Sequence, residues 1–178
     1  MFTVENEDPI LNPTLWIGSF EWREPVTTLT DFLTALVCFY AFYHFSKYKG
    51  KQSQSFVNYK FYFLFFAIGM TSAAWFGHGL QAYVGFNWKI ICWVMSATAL
   101  LSMEIGSIKE LKNIIPNKII SLLQVLFIVQ YVVMVSLMVS SKNFVIPQLN
   151  STISLVLFVI PIQLIAYIQT KKIGHAYI

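Results

Sequence analysis

Asp31, His78 and Glu24 are the residues of this chain whose types and placing allow chemistry. Asp31 and His78 sit inside segments apolar enough to cross a bilayer, and threading those segments as helices puts both at similar depth near one membrane face. An acid at the centre of a lipid-immersed helix costs about 2.5 to 3.5 kcal/mol on insertion scales, so a carboxylate facing an imidazole there reads by default as a functional pair. A neutral imidazole and a carboxylate are both zinc ligands. A catalytic zinc takes about three protein ligands and leaves one position open for a water, whose pKa it lowers toward about 7. Asp31, His78 and either Glu24 or Cys92 would make such a set. His44 and His175 close their segments at the other membrane face, most of a roughly 30 Å core away from His78.

Each of these residues also has a structural role open to it. Asp31 completes a Thr28-x-x-Asp31 capping pattern at a helix start, where the dipole favours negative charge. Glu24-Pro25 reads equally well as a helix start with proline in the first turn. His78 can serve as an interhelical hydrogen-bonding group. Cys92 has no electropositive neighbour to stabilise a thiolate and reads as packing. Glu104 is expected to snorkel from the inner end of the third span and pair with a lysine. Gln124, Gln130 and Gln163 are read as helix-to-helix hydrogen-bonding groups and not as a transport path.

The elements that must hold these groups follow from composition. The 178 residues are 57% hydrophobic, 17% aromatic and 11% charged, which describes an all-α polytopic membrane protein and no soluble domain. Five runs, near 26–46, 60–84, 88–108, 118–140 and 152–170, reach the roughly 20 residues a spanning helix needs. Lys47, Lys49, Lys51, Lys60, Lys109, Lys112, Lys118, Lys171 and Lys172 fall on one side, against Arg23, Lys89 and Lys142 on the other. That asymmetry puts the N-terminus outside and the C-terminus inside, with the cell membrane as the expected location. The net charge of +4 therefore comes from loop lysines and signals no nucleic-acid partner; the partner is membrane lipid. Cys38 and Cys92 lie in apolar runs and form no disulfide framework.

Residues 1–25 are expected to form an outer-face interfacial segment, with Leu15, Trp16, Ile17, Phe20 and Trp22 at headgroup level. Residues 26–170 form the bundle, and 171–178 are a cytoplasmic tail or the start of a further helix. Asn150-Ser151-Thr152 matches a glycosylation sequon on the outward side. Pro161 is expected to kink the fifth span.

Within the first span, Glu24, Thr27, Thr28, Asp31, Thr34, Ala35 and Cys38 recur at spacings of three and four and share one helical face. Lipid offers their polar groups no partners, so this stripe must look into the bundle or a wet cavity. In the second span Thr71, Ala74, Trp75 and His78 share a face by the same spacing, while Gly69, Ser72, Ala73 and Gly79 allow close helix approach.

The run Glu24-Pro25-Val26-Thr27-Thr28-Leu29-Thr30-Asp31, followed by Ser72-Ala73-Ala74-Trp75-Phe76-Gly77-His78-Gly79, resembles the seven-helix membrane hydrolase superfamily of alkaline ceramidases, adiponectin receptors and Per1-like proteins (the CREST group), and looks closest to an uncharacterised branch of it. The resemblance implies a zinc-dependent, lipid amidase-like site near one membrane face, with His78 as a metal ligand and Glu24 or Asp31 as the supporting acid. It covers roughly the first 90 residues, and its motifs are degenerate. Ala74 stands where the superfamily has a serine four residues before the histidine, no acid lies near Cys92 in the third span, and the last helix's paired histidines do not occur before Ile178. The ending Gly174-His175-Ala176-Tyr177-Ile178 is expected to be the entrance to a sixth span of a longer protein.

The function expected from these residues is zinc-dependent hydrolysis of a lipid amide or ester, with His78 as ligand and Asp31 as base or ligand. A non-catalytic membrane receptor or scaffold is the alternative. A proton-coupled transporter comes third, because no acid at the midplane continues a path from Asp31 and His78.

Overall fold

A computed structural model describes residues 14–50 and 52–171. The expectations for the segment before Thr14, for the tail after Lys171 and for His175 lie outside the described residues.

Two short strands, β1 (Thr14–Ile17) and β2 (Phe20–Arg23), open the described chain as an antiparallel hairpin with Leu15 opposite Trp22 and Trp16 opposite Glu21. Gly18 at the turn takes a φ of 63°, which glycine adopts without a Cβ penalty. Helices follow: α1 (Pro25–Lys47), α2 (Gln54–Gly79), the single turn α3 (Gln81–Val84), α4 (Asn87–Asn113), α5 (Asn117–Ser141) and α6 (Val145–Thr170). All but α3 are long and apolar enough to cross a membrane. The five expected spans are therefore present, in an all-α bundle whose only described sheet is the hairpin. The apolar periodicity did not announce that hairpin, because Leu15, Trp16, Ile17 and Phe20 are exposed on both its faces.

Two helix starts precede the apolar runs, one set by a polar cap and one by a side chain just ahead of it. Ser53 accepts the Phe56 N–H at 3.1 Å and starts α2 at Gln54, six residues before Lys60. Asn143 accepts the Val145 N–H at 2.9 Å and starts α6 at Val145, well before the expected 152. This longer α6 turns the sequon inward. Asn150 is buried and its Oδ1 stands 3.4 Å from the Gln130 Nε2 of α5, so the expected outward glycosylation site is a helix-to-helix contact. Upstream of Pro161, α6 widens into a π-helical stretch at Ile153–Val159. Proline removes one ladder donor, and the widened turn accommodates the loss.

Helix α4 is the hub, packing on α2, α5 and α6, while α1 packs on α2. Small residues set the α2–α4 distance. A Cβ on Gly69 would meet Ser96 Oγ at 3.2 Å and Met95 Cβ at 3.3 Å, and a Cβ on Gly106 would meet the Tyr59 ring at 3.1 Å. Ala67 and Ala99 are fully buried. In lipid, where apolar side chains gain little from leaving the solvent, such close backbone approach is the main source of helix affinity. We expect Gly106→Leu to force α2 from α4 and destabilise the bundle by about 1–3 kcal/mol, the usual cost of overpacking; unfolding in mild detergent by denaturant titration reads it directly. The lower core gathers Ile108, Leu111, Ile120, Phe127, Ile162 and Ala166 around α4, α5 and α6.

Candidate functional site

Glu24, Asp31 and His78 meet at the end of the bundle covered by the hairpin. Glu24 occupies the N-cap of α1 with φ 46° and ψ 56°, a left-handed conformation. A residue before proline is normally driven to extended backbone, and a left-handed non-glycine residue costs about 1–2 kcal/mol. The side chain does not cap the helix. It reaches across to α2, where its Oε2 lies 2.7 Å from His78 Nδ1, while its Oε1 lies 3.8 Å from Lys89 Nζ on the first turn of α4. Strain held at a residue whose side chain leaves its own helix for a neighbour is the pattern of a functional position.

His78 is placed by a second irregularity. From Ala73 to Gly79, α2 is π-helical, and Leu80 N–H bonds the Trp75 carbonyl at 2.7 Å. The wider turn breaks the expected face of Thr71, Ala74, Trp75 and His78. Trp75 is exposed on the outside of the bundle, while Met70, Ala73, Gly77 and His78 line a cavity. π-turns within α-helices are frequent at functional sites because they re-aim one side chain without breaking the helix.

On the other ring edge, His78 Nε2 stands 3.6 Å from Asp31 Oδ2. That is an ion-pair separation, too long for a hydrogen bond; a water reaching both atoms would sit beside the pair, on the cavity side. Asp31 is not a cap, contrary to the Thr28-x-x-Asp31 reading: α1 begins at Pro25, and Asp31 lies a turn and a half further in. Thr28 instead accepts the Trp22 indole N–H at 3.4 Å and donates to the Arg23 carbonyl at 3.4 Å, tying hairpin to helix. Glu21 N–H donates to Tyr83 Oη at 2.8 Å, and Phe20 stacks on Tyr83, closing the hairpin over α3.

The cavity between α1, α2 and α4 has a volume of about 420 Å³. Glu24, Asp31, His78 and Lys89 form its polar wall, and Met70, Trp93 and Phe144 its apolar one. Their side chains keep partial access to solvent, between 13% and 22% for the four polar ones. The stripe on α1 looks inward as expected, with Glu24, Thr27 and Asp31 on the cavity and Thr28, Ala35 and Cys38 buried. Cys92 also lines the cavity, but its thiol bonds the Trp88 carbonyl at 3.2 Å. Lys89 is the participant that sequence reading overlooked, having been counted only as a loop charge; its place in the first turn of a span was the available signal.

The hydrogen bond from His78 holds the Glu24 carboxyl below its ordinary value of 4.5, with the charges of His78 and Lys89 adding to the effect and burial opposing it. A carboxyl depressed in the folded state contributes stability that is complete above its unfolded pKa and is lost as pH falls through the folded one. We therefore expect thermal stability to fall below about pH 4.5 more steeply in the native chain than in Glu24→Gln, as read by the unfolding midpoint against pH. Equal slopes would show that the pair contributes nothing.

Among the described residues no group of three or more His, Cys, Asp and Glu side chains converges on one point. His78 Nε2 and Asp31 Oδ2 are spaced as two ligands of one ion could be, but Glu24 is engaged at Nδ1 and Cys92 at a carbonyl. Two protein ligands fall short of the three a catalytic zinc takes.

The sequence profile of a family of unknown function, DUF6962, matches residues 26–178. The chain belongs to that family. The match begins one residue after Pro25, so it takes in Asp31, His78 and Lys89 and leaves Glu24 just outside. No curated protein and no solved structure matches the chain.

Proposed function

We propose that the chain is a membrane-embedded hydrolase acting on an amide or ester bond of a membrane lipid, with His78 as general base. The observation that carries this is the 2.7 Å bond from His78 Nδ1 to Glu24, which turns Nε2 toward Asp31 and the cavity. A carboxylate on one ring nitrogen fixes the tautomer and stabilises the imidazolium that forms when the other nitrogen takes a proton. A water held beside Nε2 and Asp31 Oδ2, on the cavity side, gives its proton to His78 as its oxygen adds to the substrate carbonyl carbon. The carbonyl oxygen gains negative charge, which Lys89 is placed to offset. The C–N or C–O bond then breaks, and His78 returns the proton to the leaving amine or alcohol. The apolar wall of Met70, Trp93 and Phe144 suits an acyl chain entering from the bilayer.

The likeness of the Glu24 and His78 segments to ceramidase-type membrane hydrolases supports hydrolysis of a lipid amide or ester, although that resemblance implies a zinc-dependent route with His78 as ligand. No step above is routed through a metal. We propose that the cavity opens on the outer side of the cell membrane; the lysine asymmetry supports that orientation.

Purified chain in lipid nanodiscs, given matched N-acyl and O-acyl lipids, should release free fatty acid, and elemental analysis of the same sample reports any zinc. Turnover without stoichiometric metal supports the general-base route. Turnover that needs zinc, lost with His78→Ala but retained with His44→Ala, would replace that route with a metal one, and no turnover on either lipid class would overturn the hydrolase reading.

A further inference from the structure

Glu104 does not snorkel or pair with lysine. It is 1% exposed, the most deeply buried carboxylate among the described residues, and sits two turns from the end of α4 in contact with α5 and α6. Gln130 Nε2 of α5 stands 3.4 Å from Glu104 Oε1, 3.4 Å from Asn150 Oδ1 and 3.1 Å from Ser154 Oγ. The Ser154 hydroxyl also lies near the Glu104 carboxylate. Asn150 and Ser154, both on α6, are 3% and 1% exposed. Among the described residues no lysine, arginine or histidine forms an ion pair with Glu104. Two phenols stand near it in sequence or space: Tyr59 of α2 reaches Ser107, one turn along α4, at 3.3 Å, and Tyr131 of α5, next to Gln130, bonds Thr98 at 3.0 Å.

An ionised carboxylate removed from water with no counter-charge is among the costliest arrangements a membrane bundle can hold, so its charge must be cancelled. Glutamine at this position would give the neighbouring helices similar hydrogen bonds without that cost. What a carboxylate adds is affinity for a cation. Its surroundings are hard oxygen donors from three helices: the carboxylate, Asn150 Oδ1, Ser154 Oγ and, after a rotation of the side-chain amide, Gln130 Oε1. Such donors suit a proton or an alkali ion and not a soft metal.

We propose that Glu104, Gln130, Asn150 and Ser154 form an intramembrane site for one monovalent cation, a proton or a sodium ion, whose occupancy ties α4 to α5 and α6. The site shares no residue with the Glu24–His78–Asp31 cavity and stands whether or not lipid is hydrolysed.

The full chain in nanodiscs tests it, with the unfolding midpoint followed against sodium at constant ionic strength, choline replacing it, and the infrared carbonyl region recorded in parallel at neutral pH. A sodium-dependent rise of several degrees, absent in Glu104→Gln, supports a sodium site. A carboxylic-acid carbonyl band that is insensitive to sodium and missing from Glu104→Gln supports a proton site. Ser154→Ala keeps the charge and removes one ligand; it should weaken the sodium response about tenfold or shift the carbonyl band, and it serves as the test if Glu104→Gln does not fold. The absence of both a sodium response and a carbonyl band dependent on Glu104 and Ser154 would overturn the proposal.

Discussion

His78→Asn should lower lipid turnover by about 10²–10⁴-fold while leaving the bundle folded, the loss expected when a positioned general base is removed. Asparagine keeps a polar side chain at the π-turn and can still hydrogen-bond Glu24, so the fold around Gly77 and Gly79 has little reason to move. What disappears is the second ring nitrogen, the atom facing Asp31 across 3.6 Å. Steady-state kinetics separates this from weakened substrate binding: the loss should fall on kcat, with KM within a few-fold, since the apolar wall of Met70, Trp93 and Phe144 is untouched. Asp31→Asn should cost less, because its carboxylate orients water without accepting the proton. A His78→Asn protein with native turnover would remove the imidazole from the chemistry altogether.

Glu24→Gly should lower activity while leaving stability near the native value or above it. The native residue holds φ 46° immediately before Pro25, a conformation that glycine adopts without the roughly 1–2 kcal/mol penalty of a side chain. Against that gain stands the lost hydrogen bond to His78, worth about 1.5–3 kcal/mol when one partner is charged but less where water reaches the pair. The midpoint should therefore stay near the native value or rise, whereas turnover should fall about 100-fold as the imidazole loses its orienting carboxylate. Glu24→Gln makes the complementary change, keeping the strained backbone while removing the charge, and should lose activity without the backbone gain. If both variants keep full turnover, the 2.7 Å contact is structural only. A large loss of stability in Glu24→Gly would show instead that the contact outweighs the strain.

Much of this arrangement was legible in the sequence because lipid is an unforgiving solvent. A polar stripe on a spanning helix has only the bundle to face, so Glu24, Thr27, Asp31 and Cys38 could be assigned an inward orientation from their spacing. Matching the depth of Asp31 and His78 by helix rise sufficed to bring them together. The reading failed where backbone irregularity or caps decide geometry. Trp75 was placed with His78 because a 3.6-residue period was applied through a π-turn, and Asn150 was placed outside because the Asn143 side chain ahead of α6 was not weighed. Glu104 was sent to the interface on the general behaviour of charged residues near helix ends. Its three neutral partners come from helices distant in sequence, and no local pattern reveals such a meeting. Lys89 entered the site for the same reason: its partner Glu24 precedes it by most of two spans.

Turnover in water enriched in heavy oxygen tests the central claim most directly. Purified chain in nanodiscs containing a matched lipid amide and ester, transferred into such water, should release fatty acid carrying one solvent oxygen, at a rate that His78→Asn reduces by about 10²-fold or more. Release of acid without solvent oxygen, equal release by His78→Asn, or no release from either lipid would contradict it.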